Sequence, residues 1–196
     1  KDVDQSVLRL LSLIEKYLQN ENIGQPYSID THDALARQAV CESAVLLKNE
    51  GILPIRQRMS IAVIGEFAEK PRYQGAGSSR INPQKITSAL SVMKAERIGY
   101  EYARGYDLSG KADPDELLKE AVETAKGKDV VVVFAGLPDE YESEGFDRIN
   151  IDLPKEHNDL IEQIAEVNPN IVVLLHNGSA VRLPWVELVN AILLLG

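Results

Sequence analysis

The chain has 196 residues, with 30 acidic against 21 basic side chains, a net charge of -9 and a single cysteine. That length suits one domain, or one domain with an added segment, and allows a sizeable core. The acidic balance offers no basic patch to nucleic acid or to an anionic membrane, no apolar run approaches the roughly 18 residues that span a bilayer, and Cys41 alone builds no disulfide framework. Lys1-Asp2-Val3-Asp4 lacks the basic and apolar regions of a secretory leader, so a cytoplasmic location is expected.

Val3, Val7, Leu10, Leu11, Ile14 and Leu18 recur at helical spacing and predict an amphipathic first helix. It should end near residues 20–24, with 25–27 as a linker. A second helix opens with Asp30 or Thr31 as N-cap and runs through Ala34, Leu35, Ala39, Val45 and Leu46 to about Asn49, where Gly51 and Pro54 stop it. From Ser60 strands alternate with helices. The expected order is strand 61–65, helix 87–94, a strand within 99–106, and helix 115–125, led in by Asp113 and Pro114 and ended by Gly127. Strand 129–136, helix 155–167, strand 170–176, a helical stretch at 183–189 and strand 191–195 follow. The run Asp129-Val-Val-Val-Val-Phe-Ala-Gly136 is apolar without alternation, as a central parallel strand is. This order predicts an α/β fold, a three-layer sandwich with a predominantly parallel sheet flanked by helices. An opening helix with no domain before it, and an apolar strand at the very end, suggest a piece of a longer polypeptide.

Ligands of open α/β sheets bind beyond the carboxyl ends of the strands, which directs attention to the segment after 129–136. Six acids crowd there, Asp139, Glu140, Glu142, Glu144, Asp147 and Asp152, with Arg148 as the one base. The segment reads equally as a solvated loop of an acidic chain. Gly75-Ala76-Gly77-Ser78-Ser79-Arg80 invites a phosphate-binding reading, but the third glycine of a dinucleotide fingerprint and the lysine of a P-loop are missing. Asn82-Pro83 also keeps a helix from opening at once. A loop whose backbone nears a polar ligand, with Ser78 or Ser79 donating, stands beside a plain surface turn. His32, His157 and His176 have no partner at metal-ligand spacing, so no metal site is expected; the first two are assigned to helix surfaces and His176 to a strand end. Cys41 is expected as a small buried hydrophobe beside Ala39, Val40 and Ala44, and Trp185 as a packing anchor rather than a sugar platform.

Taken together, several segments resemble glycoside hydrolase family 3, the β-glucosidase and β-xylosidase family, in its second, α/β-sandwich domain. They are His32-Asp33-Ala34-Leu35-Ala36-Arg37, Ser43-Ala44-Val45-Leu46-Leu47-Lys48-Asn49-Glu50-Gly51-Ile52-Leu53-Pro54, Ile61-Ala-Val-Ile-Gly65 and Gly75-Ala76-Gly77-Ser78. Glu142-Ser-Glu-Gly-Phe-Asp-Arg148, Leu153-Pro154 and Val172-Val-Leu-Leu-His-Asn-Gly-Ser179 continue the match, so that it covers residues 4–196 in order. The resemblance implies that residues 1–29 are a helix and linker from a preceding (β/α)8 barrel, and that 30–196 are the sandwich domain, truncated at its C-terminus.

It further implies a retaining β-glycosidase acting on terminal non-reducing β-D-glycosyl residues, with the active site between the two domains. The barrel would supply the Asp nucleophile and this domain the general acid/base. Matched residue by residue, the acid/base falls on Glu144 with Glu142 in reserve, and Ser78 bonds a sugar hydroxyl. Retaining hydrolysis needs two carboxyls about 5–5.5 Å apart, one of them protonated near neutrality; crowding among the acids, and desolvation when the cleft closes, can raise that one. Asp147 and Arg148 are expected to hold the loop through an ion pair. The implied partners are a β-linked oligosaccharide or glycoside and the chain's own barrel; no cofactor is implied, and the piece alone is expected to be inactive. A non-catalytic carbohydrate-binding or scaffold domain is the alternative. A nucleotide-binding domain is a second rival, disfavoured by the acidic loop and the missing lysine.

Overall fold

The computed structural model describes residues 1–195 apart from Ile23 and Gln25. The expected helix end at 20–24 and linker at 25–27 include those two positions, and there lie outside the described residues. The chain divides into two units, Lys1–Arg37 and Gln38–Gly196. In the first, α1 (Asp2–Leu18) follows the helical spacing of its apolar residues. Val3, Val7, Leu10, Leu11, Ile14 and Leu18 are all exposed. Helix α2 (Ile29–Ser43) starts in this unit, where Tyr27 stacks on His32 at 5.4 Å and Arg37 pairs with Asp33 at 3.0 Å.

The second unit holds a six-stranded sheet in the order β1-β6-β5-β4-β2-β3. Its strands are β1 (Val45–Asn49), β2 (Ile61–Ile64), β3 (Glu101–Ala103), β4 (Val130–Gly136), β5 (Ile171–His176) and β6 (Ala191–Leu194). All neighbours are parallel except β1, which runs antiparallel to β6. Three helices serve as crossovers: α3 (Ala89–Ala95), α4 (Pro114–Ala125) and α5 (Lys155–Ala165). The step from β2 to β3 runs opposite to the steps from β3 to β4 and β5. Right-handed crossovers therefore place α3 on one face and α4 with α5 on the other, and α4 and α5 do pack on one another and on the strands. The result is a three-layer α/β sandwich.

Local chemistry explains these elements. Strand β4 is buried along its whole length, which is why its sequence does not alternate. Helix α4 opens on Pro114 after Asp113, whose carboxylate accepts the Asp115 N–H at 3.0 Å. It buries Leu117, Ala121 and Ala125 at four-residue spacing. Helix α5 buries His157, Leu160, Ile161 and Ile164; each of the three aliphatic side chains stabilises the fold by about 1.5–3 kcal/mol. Trp185 is fully buried and donates its indole N–H to Asn158 Oδ1 at 2.8 Å, a packing anchor as expected.

Four expectations need correction. Residues 45–49 are a strand, not the end of a helix: α2 stops at Ser43, and Val45–Asn49 finds its backbone partners on β6. The stretch at 183–189 narrows to a single 3-10 turn, Val186–Leu188. His157 is buried against the sheet, because it shares the apolar face of α5 rather than the solvent face. Cys41 is exposed, since α2 buries none of its residues.

The sheet also levels the ends where loops emerge. In the β4–β5 ladder Gly136 stands opposite His176, so the loops at 137–154 and 177–190 leave side by side. At the end of β2, Gly65 has φ +116°, and a Cβ there would stand 2.2 Å from the Phe134 carbonyl oxygen. Only glycine permits that approach, and the chain then turns into residues 66–88 beside the same edge. Among the described residues no helix is long and apolar enough to cross a membrane.

Candidate active site

The three loops beyond β2, β4 and β5 meet around a cavity of about 880 Å³ whose lining includes Arg72, Gly75, Glu142, Phe146, Arg148 and Ser179. After β4 the chain makes a 3-10 turn, Asp139–Glu142, then extends at Ser143 and bends at Gly145. Ser143 forms a parallel bridge with Ala76, which brings the glycine-rich loop and the acidic loop edge to edge. The two motifs singled out in the sequence thus occupy one place.

The two glutamates of this loop point at different partners. Both oxygens of Glu142 are engaged: Oε2 accepts from Arg72 and from the Gly178 N–H at 3.0 Å, and Oε1 accepts from Ser179 Oγ. The pair is well covered, with side-chain exposure of 10% for Arg72 and 12% for Glu142. Arg148 donates to Ser179 Oγ at 3.0 Å and to the Ala180 carbonyl at 2.9 Å, so Ser179 receives from one end of the loop and gives to the other. The expected Asp147–Arg148 ion pair gives way to this arrangement. Glu144, in contrast, is exposed. Its Oε2 accepts from the Ser78 N–H at 2.8 Å and from Ser78 Oγ, and among the described residues nothing bonds Oε1.

Electrostatics follow from these bonds. Burial alone would raise Glu142, but the donors on Ser179, Gly178 and Arg72 together outweigh it and hold the carboxyl below its ordinary range. The Ser78 hydroxyl, then its backbone N–H, likewise hold Glu144 below its ordinary value against slight desolvation. In the open loops, hydrogen bonds to the charged form of both glutamates dominate. Beneath the loops lie His157 and His176. Desolvation lowers His157 to about 3, and its Nδ1 accepts the Gly136 N–H at 3.3 Å. Desolvation and the Arg72 charge lower His176 to about 4. Both are neutral at pH 7. Among the described residues no group of three or more His, Cys, Asp or Glu is placed to hold a metal ion.

This geometry sits on a chain whose residues 44–196 match the glycosyl hydrolase family 3 C-terminal domain. The chain belongs to glycosyl hydrolase family 3. Thermostable beta-glucosidase B of Acetivibrio thermocellus is 46% identical over 195 residues, which is 97% of this chain and 26% of that protein. Exo-alpha-(1->6)-L-arabinopyranosidase of Bifidobacterium breve is 46% identical over 178 residues, 85% of this chain and 24% of that protein. The crystal structure of a GH3 beta-glucosidase from Bifidobacterium adolescentis superposes with a TM-score of 0.86 at 44% identity, covering 95% of this chain and 27% of the other. The family 3 chain described here therefore spans about a quarter of the length of the curated relatives it matches.

Within this family 3 domain, Ser78 meets Glu144, while Glu142, two residues earlier in the same loop, turns to Arg72, Gly178 and Ser179. Arg72 was not anticipated, because its partner lies 70 residues away and nothing local marks it. Ser179 stood at the end of a matched segment without a role; the Asn-Gly-Ser ending after an apolar strand was the signal available.

Proposed function

We propose that this chain is the acid/base-bearing part of a retaining β-glycosidase of the β-glucosidase type, with Glu144 as the proton donor. The observation that carries this reading is the unequal use of the two glutamates. Both oxygens of Glu142 are tied to Arg72, Gly178 and Ser179, whereas Glu144 keeps Oε1 open at the mouth of the loops. In the first step Glu144 gives its proton to the glycosidic oxygen as the C1–O bond breaks and a carboxylate from elsewhere in the polypeptide bonds to C1. In the second step Glu144 takes a proton from water as the water oxygen attacks C1 and that carboxylate leaves. A proton donor must be protonated near neutrality, and Ser78 works against that in the open loop. Covering the cleft removes water and favours the neutral acid, so closure over a sugar shifts Glu144 toward the donating form.

The test is Glu144→Gln in the full-length family 3 enzyme that contains this chain. Glutamine keeps the shape and cannot donate a proton. Turnover of an alkyl β-glucoside, a poor leaving group, should fall by about 10²–10⁴-fold. Release of dinitrophenolate in the first step should survive, because that group departs with little protonation. Equal losses for both substrates, or no loss, would contradict the assignment.

A further inference from the structure

The resemblance assigns Ser78 to a sugar hydroxyl, yet here its hydroxyl and its backbone N–H both face Glu144 Oε2, the latter at 2.8 Å. Two neighbouring features make this contact specific. The Ala76–Ser143 bridge aligns the backbones of the two loops two residues before Ser78 and one before Glu144. Gly77 then takes φ +92°, and a Cβ on it would stand 2.5 Å from Glu144 Cβ and 3.0 Å from Oε2. A side chain at 77 would thus push Glu144 away, so glycine is required for both the backbone angle and the approach. We infer that residues 76–78 form a cradle that aims the Glu144 carboxyl, and that Ser78 is a positioning residue for the proton donor. This rests on Glu144 being that donor.

The charged groups on the facing loops leave the cradle in control. Glu142 and Arg148 are turned to Arg72 and Ser179, and the influences acting on Glu144 are the two Ser78 donors and slight desolvation. Arg80, Glu140 and Asp147 share the two loops without contributing to it. Both Ser78 donors bond the ionised carboxylate, so removing the hydroxyl favours its protonated form.

The experiment measures kcat/KM against pH for a poor-leaving-group glucoside in the full-length enzyme, with Ser78→Ala, Ser78→Thr and Gly77→Ala. The alkaline limb reports loss of the acid's proton. Ser78→Ala should move that limb to higher pH, so that the variant keeps several-fold more of its own maximum at a pH where the unaltered enzyme has declined. Ser78→Thr, which retains the hydroxyl, should restore the limb. Gly77→Ala should lower kcat for the poor leaving group while sparing release of dinitrophenolate, which a general loss of folding would not do. If Ser78→Ala raises KM and leaves the limb in place, Ser78 is a sugar contact and the cradle is wrong by itself. If Glu144→Gln retains normal activity, the cradle falls together with the proton-donor reading.

Discussion

At Glu142, one carboxylate ties three loops: Arg72 from the loop after β2, the acidic loop itself, and Gly178 with Ser179 from the loop after β5. The ion pair is largely withdrawn from water, so removing one partner leaves the other charge poorly solvated. Arg72→Ala should cost about 1–3 kcal/mol, a reduction from the fully buried case because some solvent reaches the site. For a unit of this size that corresponds to a Tm lower by roughly 3–10 °C. Arg72→Lys should fall between, since an ammonium keeps the charge and loses the planar fork. Thermal unfolding of the chain followed by circular dichroism reads this directly. A Tm for Arg72→Ala within a degree of the unaltered chain would reduce the tie to a surface pair.

At the scale of elements, the carboxyl ends of β4 and β5 rest on an aromatic floor. Tyr106 lies 3.9 Å from His157 between ring centroids, Phe67 lies 5.6 Å from His176, and the Tyr106 hydroxyl donates to the Phe134 carbonyl at 2.8 Å. The two histidines are depressed to about 3 and about 4, below their unfolded value of about 6.5. A depressed group stabilises the fold above its unfolded pKa and withdraws that stability as pH falls toward its folded one. The unfolded chain therefore binds more protons between about 6.5 and 4, and stability should drop there by up to about 1.4 kcal/mol per pH unit for each histidine. The depressed carboxyls Asp107, Asp129, Glu142 and Glu144 withdraw their contributions mainly below about 4.5, and do so alike in the unaltered chain and a histidine variant. Among the described residues His176 Nε2 is buried and has no hydrogen-bond partner, so His176→Leu should flatten the slope without losing a bond at that nitrogen. Urea unfolding at pH 6.5 and 4.5 measures it; an unchanged slope in the variant would contradict the argument.

The same elements show what a sequence can reveal here. Strands β4 and β5 are legible because burial on both faces leaves a continuous apolar run. Strand β1 is not, because Val45–Asn49 is defined by β6, almost 150 residues later, and a short apolar run fits helix and strand alike. His157 was legible in principle: it stands at the spacing of Leu160, Ile161 and Ile164, and residue type overruled position. The meeting of Ser78 with Glu144 required two loops 66 residues apart to be laid side by side, which no local pattern encodes.

For the molecule as a whole, an acidic chain with a net charge of -9 suits a neutral sugar better than a phosphorylated one. The proposed division of labour, a proton donor here and a nucleophile elsewhere in the polypeptide, makes one stereochemical demand. When Glu144 becomes Gln, water loses its base in the second step, and azide, which needs none, should take its place. The decisive measurement is the product that the Glu144→Gln enzyme forms from dinitrophenyl β-glucoside in the presence of azide, identified by NMR. Proton donation from Glu144 in a retaining reaction predicts faster turnover with azide and a β-glucosyl azide, with no such product from Glu142→Gln. An α-glucosyl azide, no azide adduct, or rescue of the Glu142 variant in place of Glu144 would contradict it.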